Sequence, residues 1–292
     1  MLASFLTNQF RLFNCTFPEH FFHQPGLMIE SYQIVTHGGA MQPYRHFAEH
    51  YHLGPYIHFT HWVSEEVFPH LLEVLNFSPV TLLDLACGSG VFANHMAAQG
   101  ISVTGLDASS DMLQIAQTAA QKQKLSVQWL QQDMSKLDLP KRLDCITCFF
   151  DSLNYLLQFQ DLAHTFQAVY RHLNPGGYFI FDMNTIYGLA VTWQRFPYNI
   201  PQDLPDYLEV TENTYDYENS IAQMRIIMFE RVGKTWIRYE EIHQERGYAV
   251  DDITLILQQT GFELTYLVGS PILLTPLSST DSRMWVVAHK SE

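Results

Sequence analysis

The chain has 292 residues, 47% of them hydrophobic and 16% charged, and a formal net charge of −14. A compact chain of this length buries roughly 75% of its unfolded surface, so neither disulfides nor a structural metal are needed for a core, and no uninterrupted apolar run approaches the ~18 residues of a membrane span. The acidity and the absence of a Lys/Arg cluster oppose a nucleic-acid partner, the four scattered cysteines oppose a secreted disulfide scaffold, and the N-terminal stretch, with Arg11 and Glu19, is a poor secretory signal, so a cytoplasmic location is expected.

Residues 1–40 are aromatic, irregular and broken by Pro18, Pro25 and Gly26, and read as a loosely ordered N-terminal extension. An ordered arm over the substrate site and an overlong start are the other readings, since Met28 and Met41 both stand where a shorter chain could begin. Residues 41–292 read as one domain. Near its start lies an aromatic stretch, Tyr44-Arg45-His46-Phe47-Ala48-Glu49-His50-Tyr51, followed by Trp62. His46 and His50 have i, i+4 spacing, but no HExxH occurs and no cysteine or acid cluster flanks them, so no metal site is expected.

From Thr81 onward strands alternate with helices, the pattern of a parallel sheet covered on both faces. A strand over 80–85 leads through a glycine loop into a helix over 91–99, closed by Gly100. A second strand, 101–106, ends at Asp107, and the helix after it is capped by Ser109 or Ser110 and sets Met112, Ile115, Ala116 and Ala119 at helical spacing. A third strand, 126–130, stops before Asp133, and a fourth, 143–149, ends at Asp151. Cys145 and Cys148 in that strand form a CxxC, but their separation turns the thiols to opposite faces, which suits core packing rather than zinc or redox chemistry. A helix through Leu162, Phe166, Val169 and Leu173 follows, then an Asn174-Pro175-Gly176-Gly177 turn and a fifth strand, 178–182. Between 206 and 248 the period drops to about 2 in three segments, separated by Glu218-Asn219-Ser220 and Val232-Gly233-Lys234. That is an antiparallel meander, inserted as a cap or lobe over the site. A helix over 251–260, stopped by Gly261, and two final strands, 262–268 and 283–289, complete the main sheet.

The stretch that carries most chemistry is Leu82-Leu83-Asp84-Leu85-Ala86-Cys87-Gly88-Ser89-Gly90. An apolar strand breaks into a tight glycine loop beside a helix N-terminus, where backbone at φ > 0 lets a ligand approach closely. Asp84 at its edge would repel a pyrophosphate and attract a cationic or amine-bearing ligand. Open α/β sheets bind ligands beyond the C-terminal strand ends, at the switch point of strand order. Here successive strand ends carry Asp84, Asp107, Asp133 and Phe150-Asp151. One such aspartate is an ordinary turn or cap residue; their joint placement at one rim marks a site.

The pattern from Asp84 to Gly90 is similar to the first motif of the class I S-adenosylmethionine (SAM) methyltransferases, acid-x-(Gly/Ala)-x-Gly-x-Gly, with Ala86 where glycine is frequent. Leu106-Asp107-Ala108-Ser109, Gln132-Asp133-Met134 and Leu173-Asn174-Pro175-Gly176-Gly177-Tyr178 resemble further segments of that family. The stretch from Tyr44 to Tyr51 resembles the Tyr-x-x-Phe-Ala-x-x-Tyr-Asp lead-in of its small-molecule members, with His52 in place of the aspartate. The likeness covers 44–183 well and 240–290 loosely. It implies a Rossmann-like α/β fold, a seven-stranded methyltransferase sheet with helices on both faces and an inserted antiparallel β lobe.

The resemblance also implies SAM as cofactor. Asp107 would accept from the ribose hydroxyls and Asp133 from the adenine amine, with Met134 and Ala108 or Met112 against the ring faces. Asp84, Ala86, Gly88 and Gly90 would face the methionine end, with Phe150 at the next strand end. Tyr44, Tyr51 and Trp62 would close over that end, since ring faces attract a sulfonium.

Acceptor-facing residues implied in the same way are Asp151, Asn154 and Tyr155, with His243 in the meander. A base is needed only for an acceptor that arrives protonated. The run from Phe149 to Leu156 lacks the Asn/Asp-Pro-Pro-Tyr of amine methyltransferases that act on nucleic-acid bases, and looks like enzymes that act on small molecules, including those that dimethylate amino sugars. The expected activity is methyl transfer from SAM to a small-molecule nitrogen, oxygen or carboxylate, with no nucleic-acid or membrane partner and with the lobe as the surface of a homodimer. Two alternatives stay open. One is a catalytically degenerate SAM-binding domain that regulates or scaffolds. The other is an NAD-dependent oxidoreductase, because Gly88-Ser89-Gly90-Val91-Phe92-Ala93 also satisfies G-x-G-x-x-A, with Asp107 near the spacing of a ribose-binding acid.

Overall fold

The computed structural model describes residues 43–291 and the short strand β1 (Gln33–Thr36). The chain divides into two units, 1–33 and 34–292. The second is described below, and the rest of the expected N-terminal extension lies outside the described residues.

Apolar runs set the central sheet. β2 (Thr81–Leu85), β3 (Ser102–Asp107), β4 (Val127–Gln131), β5 (Leu143–Cys148) and β6 (Leu173–Asn184) pair in parallel. The chain then leaves for the lobe, β7 (Tyr198–Leu204), β8 (Tyr207–Asp216), β9 (Ile221–Val232) and β10 (Thr235–Arg246). It returns as β11 (Glu263–Ser270), the two-residue β12 (Thr275–Pro276) and β13 (Arg283–His289). β13 lies antiparallel between β6 and β11, so the seven expected strands are present with β12 added at the edge. The order β12-β11-β13-β6-β5-β2-β3-β4 reverses direction between β5 and β2. That is where a crevice forms in an open sheet.

Helices cover both faces. α1 (Phe47–Leu53) and α2 (Ile57–Trp62) lead through a π-helical turn, Val63–Val67, into α3 (Phe68–Val74). Pro69 has no N–H to return to Glu65, which accounts for the local widening. α4 (Val91–Ala98), α5 (Ser110–Gln123), α6 (Phe159–His172) and α7 (Val250–Thr260) complete the set. Phe68, Phe92, Val103, Cys145 and Ile180 pack on one side of the sheet, and Ile146, Cys148, Phe166, Phe179 and Ile253 on the other. The two thiols thus fall in separate clusters, as their spacing requires. Each buried Phe, Leu or Ile contributes roughly 1.5–3 kcal/mol of transfer free energy. No described helix is long and apolar enough to cross a membrane.

Two elements differ from expectation. Asn174-Pro175-Gly176-Gly177 is not a turn between helix and strand but the start of β6. The pairing with β5 slips between Leu143 and Cys145, and Gly176, at φ 75°, donates its N–H to Lys290 O at 2.8 Å, so the irregularity sits inside a hydrogen-bonded strand. The meander is also larger than its pattern. β8, β9 and β10 match the three expected segments, while β7 and β1 complete a five-stranded sheet in the order β1-β10-β9-β8-β7. β7 contains Pro201, which argues against a central strand; at an edge, with a register shift between Asn199 and Gln202, its missing N–H is tolerated.

Gly90 opens α4 at φ 74°, and a Cβ there would lie 2.6 Å from Ala116 Cβ and 2.7 Å from the Trp129 ring. Gly90→Ala combines a left-handed penalty of about 1–2 kcal/mol with overpacking of about 1–3 kcal/mol. A loss of about 2–5 kcal/mol in urea unfolding is expected, and an unchanged midpoint would refute the close packing of α4 on α5.

Candidate active site

A cavity of about 890 Å³ opens at the C-terminal ends of β5, β2, β3 and β4, within the roughly 300–1,000 Å³ typical of small-molecule sites. Its floor is the loop between β2 and α4. Ala86, Gly88 and Gly90 all take positive φ, 60°, 53° and 74°, so the chain doubles back beneath the space above. Cys87 N–H donates to Leu106 O at 2.9 Å. The Asp107 carboxylate accepts from Gly88 N–H and from Ser109 N–H, each at 2.8 Å. One side chain at the end of β3 therefore fixes both the glycine loop and the start of α5, where Ser109 Oγ caps Met112 N–H at 3.2 Å.

Two observations show what this floor can hold. A Cβ on Gly88 would meet nothing within 4 Å, so the space over the loop is open. Asp84 is buried, and its Oδ2 has no hydrogen-bond partner. Burial, and then the nearby Asp107 charge, push the Asp84 pKa up to about 8. An unsatisfied buried oxygen beside open space is costly unless a donor arrives, and a cationic donor would also pull its proton off. The residues present thus fit a ligand with an ammonium end and hydroxyls: Asp84 for the first, Asp107 for the second. Asp133 follows β4, lines the same cavity and accepts Ser135 N–H at 2.9 Å, with Met134 beside it.

The roof comes from the segment before α1. Tyr44, Arg45, Tyr51 and Thr60 line the cavity. Glu241 on β10 accepts the N–H groups of Tyr44 (2.7 Å), Arg45 (3.1 Å), His46 (2.7 Å) and Phe47 (3.0 Å). These are donors that the first turn of α1 cannot satisfy internally. On the other side Ser109 Oγ donates to Tyr44 O at 3.0 Å. Although burial pushes the Glu241 pKa up, the His243 hydrogen bond and the Phe47 and His46 amides hold it below the ordinary glutamate value. His243 Nε2 lies 3.2 Å from Glu241 Oε2, and its Nδ1 is 2.9 Å from Tyr155 Oη, which is 2.9 Å from Tyr44 Oη. Burial raises the pKa of both phenols.

Of the residues singled out from sequence, Tyr44, Tyr51, Asp84, Ala86, Gly88, Asp107, Ala108, Met112, Asp133, Met134, Phe150 and Tyr155 meet at the cavity. Trp62 does not: it packs on Phe59 and Trp285. Gly90 lies below the wall, against Ala116 and Trp129. His243, 3% exposed, does not line the cavity and lies behind Tyr155 and Tyr44. Asp151 and Asn154, expected to face an acceptor, instead join a buried polar network. Asp151 pairs with Arg283 at 2.9 Å and accepts from Asn184 Nδ2 at 2.9 Å. Asn154 Nδ2 donates to Asn184 O (3.0 Å) and Arg246 O (2.8 Å), and its Oδ1 accepts Asn184 N–H (2.9 Å), joining the ends of the lobe.

Three residues of this neighbourhood escaped sequence reasoning. Asp182 on β6 accepts the N–H groups of Phe150 (2.7 Å) and Asp151 (3.1 Å), Arg283 on β13 neutralises it, and Glu241 anchors the roof. Only Glu241 left a signal, since Glu241, His243 and Glu245 alternate on one buried face of β10.

Comparison with known proteins agrees with this geometry. Residues 82–177 match the family profile described as a methyltransferase domain. A putative methyltransferase of Geobacillus sp. strain WCH70 is 29% identical over 225 residues, 72% of this chain and 84% of that protein. A crystal structure of an S-adenosylmethionine-dependent methyltransferase from Clostridium acetobutylicum superposes with a TM-score of 0.69 at 27% identity, covering 81% of this chain and 99% of that one. The sugar N-methyltransferase of Streptoalloteichus sp. shares the fold at 17% identity, with a TM-score of 0.67 over 88% of this chain and 96% of its own. Strand order, glycine loop and these likenesses converge on an S-adenosylmethionine-dependent methyltransferase.

Proposed function

We propose that the cavity seats SAM with the ribose at Asp107, the adenine amine at Asp133 and the methionine end between Asp84 and the loop Ala86–Gly88, and that the enzyme methylates a small molecule at nitrogen, oxygen or a carboxylate. The observation that carries this reading is the convergence of Asp84, Asp107 and Asp133, from three adjacent parallel strand ends, on one cavity over an open Gly88. When bound, SAM supplies an electrophilic methyl group on a sulfonium. The chain's own part is to orient and desolvate. Tyr44, Tyr51 and Phe150 wall the cavity with ring faces that favour a sulfonium, and the roof held by Glu241 keeps water from the reacting atoms.

Asp84 weighs against NAD, because its buried Oδ2 lacks a donor, which an ammonium supplies and a pyrophosphate does not. Calorimetric titration with SAM and with NAD separates the two, and labelled-SAM turnover over a panel of amines, phenols and carboxylates separates an enzyme from a binding-only domain. SAM binding with turnover of a panel member is the expected result. Tight NAD binding without SAM binding would overturn the reading.

A further inference from the structure

The directions of the hydrogen bonds beneath the roof are determined by one group. Glu241, held ionised by His243 and the roof amides, can only accept, so His243 Nε2 is the donor in that pair. In a neutral imidazole Nδ1 is then the acceptor, and Tyr155 O–H donates to it. That leaves the Tyr155 oxygen to accept from Tyr44 O–H. The chain of donors runs one way, from Tyr44 at the cavity wall to a buried imidazole backed by a carboxylate.

Tyr44 and Tyr155 line the cavity, whereas His243 and Glu241 do not. The other groups acting on the phenols are Glu245 and Asp151, which oppose ionisation of both, and Asp107, which opposes that of Tyr44. A standing phenolate is therefore disfavoured, and a proton received at Tyr44 is passed on. Edge-on packing of the Tyr44 ring 4.8 Å from His243, and of Phe47 at 5.8 Å, keeps the imidazole in place.

We propose that Tyr44, Tyr155, His243 and Glu241 form a proton relay for the methyl acceptor, and hence that the acceptor arrives with a proton on its attacking atom, as an amine or a hydroxyl and not as a carboxylate. This rests on the SAM reading above. As the acceptor's lone pair bonds to the methyl carbon, the carbon–sulfur bond breaks and its pair stays on sulfur, which loses its positive charge. The acceptor's proton passes to Tyr44, the Tyr44 proton to Tyr155, and the Tyr155 proton to His243 Nδ1. Both phenols end neutral, and the new imidazolium lies against Glu241. A carboxylate acceptor needs no such path and would meet Asp84, Asp107, Asp111 and Asp133 with only Arg45 to oppose them among the described lining residues.

The test has an arm independent of turnover. Nitrogen NMR of the histidine-labelled full-length protein at mildly alkaline pH is expected to show His243 protonated on Nε2 and bare on Nδ1. A proton on Nδ1 would overturn the relay. In the kinetic arm, labelled SAM is offered with an amine, a phenol and a carboxylate built on one carbon skeleton, and methylation of the first or second is expected. Tyr155→Phe should lower kcat by about 100-fold while the SAM Kd from calorimetry changes little. Glu241→Gln keeps an oxygen for the roof amides but removes the charge, so the acid limb of the kcat profile should move to lower pH. Methylation of the carboxylate alone, or Tyr155→Phe with unchanged kcat and pH profile, sinks the proposal. If no panel acceptor turns over, the tautomer decides. Absence of SAM binding would instead refute the SAM reading, and the relay falls with it.

Discussion

Asp107→Ala is expected to weaken SAM binding by at least about 100-fold in calorimetric titration. Hydrogen bonds to a charged group are worth about 1.5–3 kcal/mol each, and the ribose would take two from this carboxylate. About 1.4 kcal/mol is a factor of ten, so their loss alone reaches the stated range. The damage extends to the floor, because the same carboxylate receives Gly88 N–H and Ser109 N–H. Without it the loop loses its tie to α5. Asp107→Asn keeps one acceptor oxygen and should fall between wild type and alanine. An alanine variant with the wild-type Kd would show that the ligand lies elsewhere.

Arg283→Leu is expected to cost about 3–5 kcal/mol of stability, the range for removing one partner of a buried ion pair, read from urea unfolding. Arg283 faces Asp151 and Asp182, and stacks over Phe59 at 4.7 Å and Phe150 at 5.9 Å. Phe150 and Asp151 are consecutive non-glycine residues at φ 59° and 52°, held there by the Asp182 carboxylate. Such conformations persist only when their surroundings over-determine them, so the variant should also deform the cavity wall at Phe150. The pH dependence has a definite sign. Burial pushes the Asp182 pKa up to about 6, against Arg283, which lowers it. A carboxyl raised in the folded state contributes stability that is full below its unfolded pKa near 3.9 and lost as pH rises through about 6. The variant's deficit should therefore shrink on acidification from neutral pH toward about pH 5. A deficit that grew on acidification would contradict the carboxylate cluster.

The alternating strands and helices were legible because buried parallel strands are continuous apolar runs and their ends carry turn residues. β2 to β5 fell within a residue or two of their expected bounds for that reason. The cavity's lining at the strand ends was legible too, since Asp84, Gly88, Asp107 and Asp133 lie at fixed distances from those ends. The acceptor side was not. Asp151 and Tyr155 are four residues apart, yet left-handed backbone at Phe150 and Asp151 sends one into an ion network and the other to the cavity. Nothing local predicts that, because the constraint comes from Asp182 and Arg283, far along the chain. For Glu241 the alternation with His243 and Glu245 marks a buried face, but its role was hidden, because the amides it serves lie almost two hundred residues earlier.

Asn154 has a consequence beyond its hydrogen bonds. By gripping Asn184 at the lobe's departure and Arg246 at its return, it ties the two ends of the lobe together, a tie that Asn184 Nδ2 doubles by donating to Glu245 at 2.8 Å. A different length of chain could be grafted into the β7–β9 part of that lobe without recutting the sheet or the cavity floor, provided that Asn154 at the clasp and Glu241 and His243 on β10 are kept.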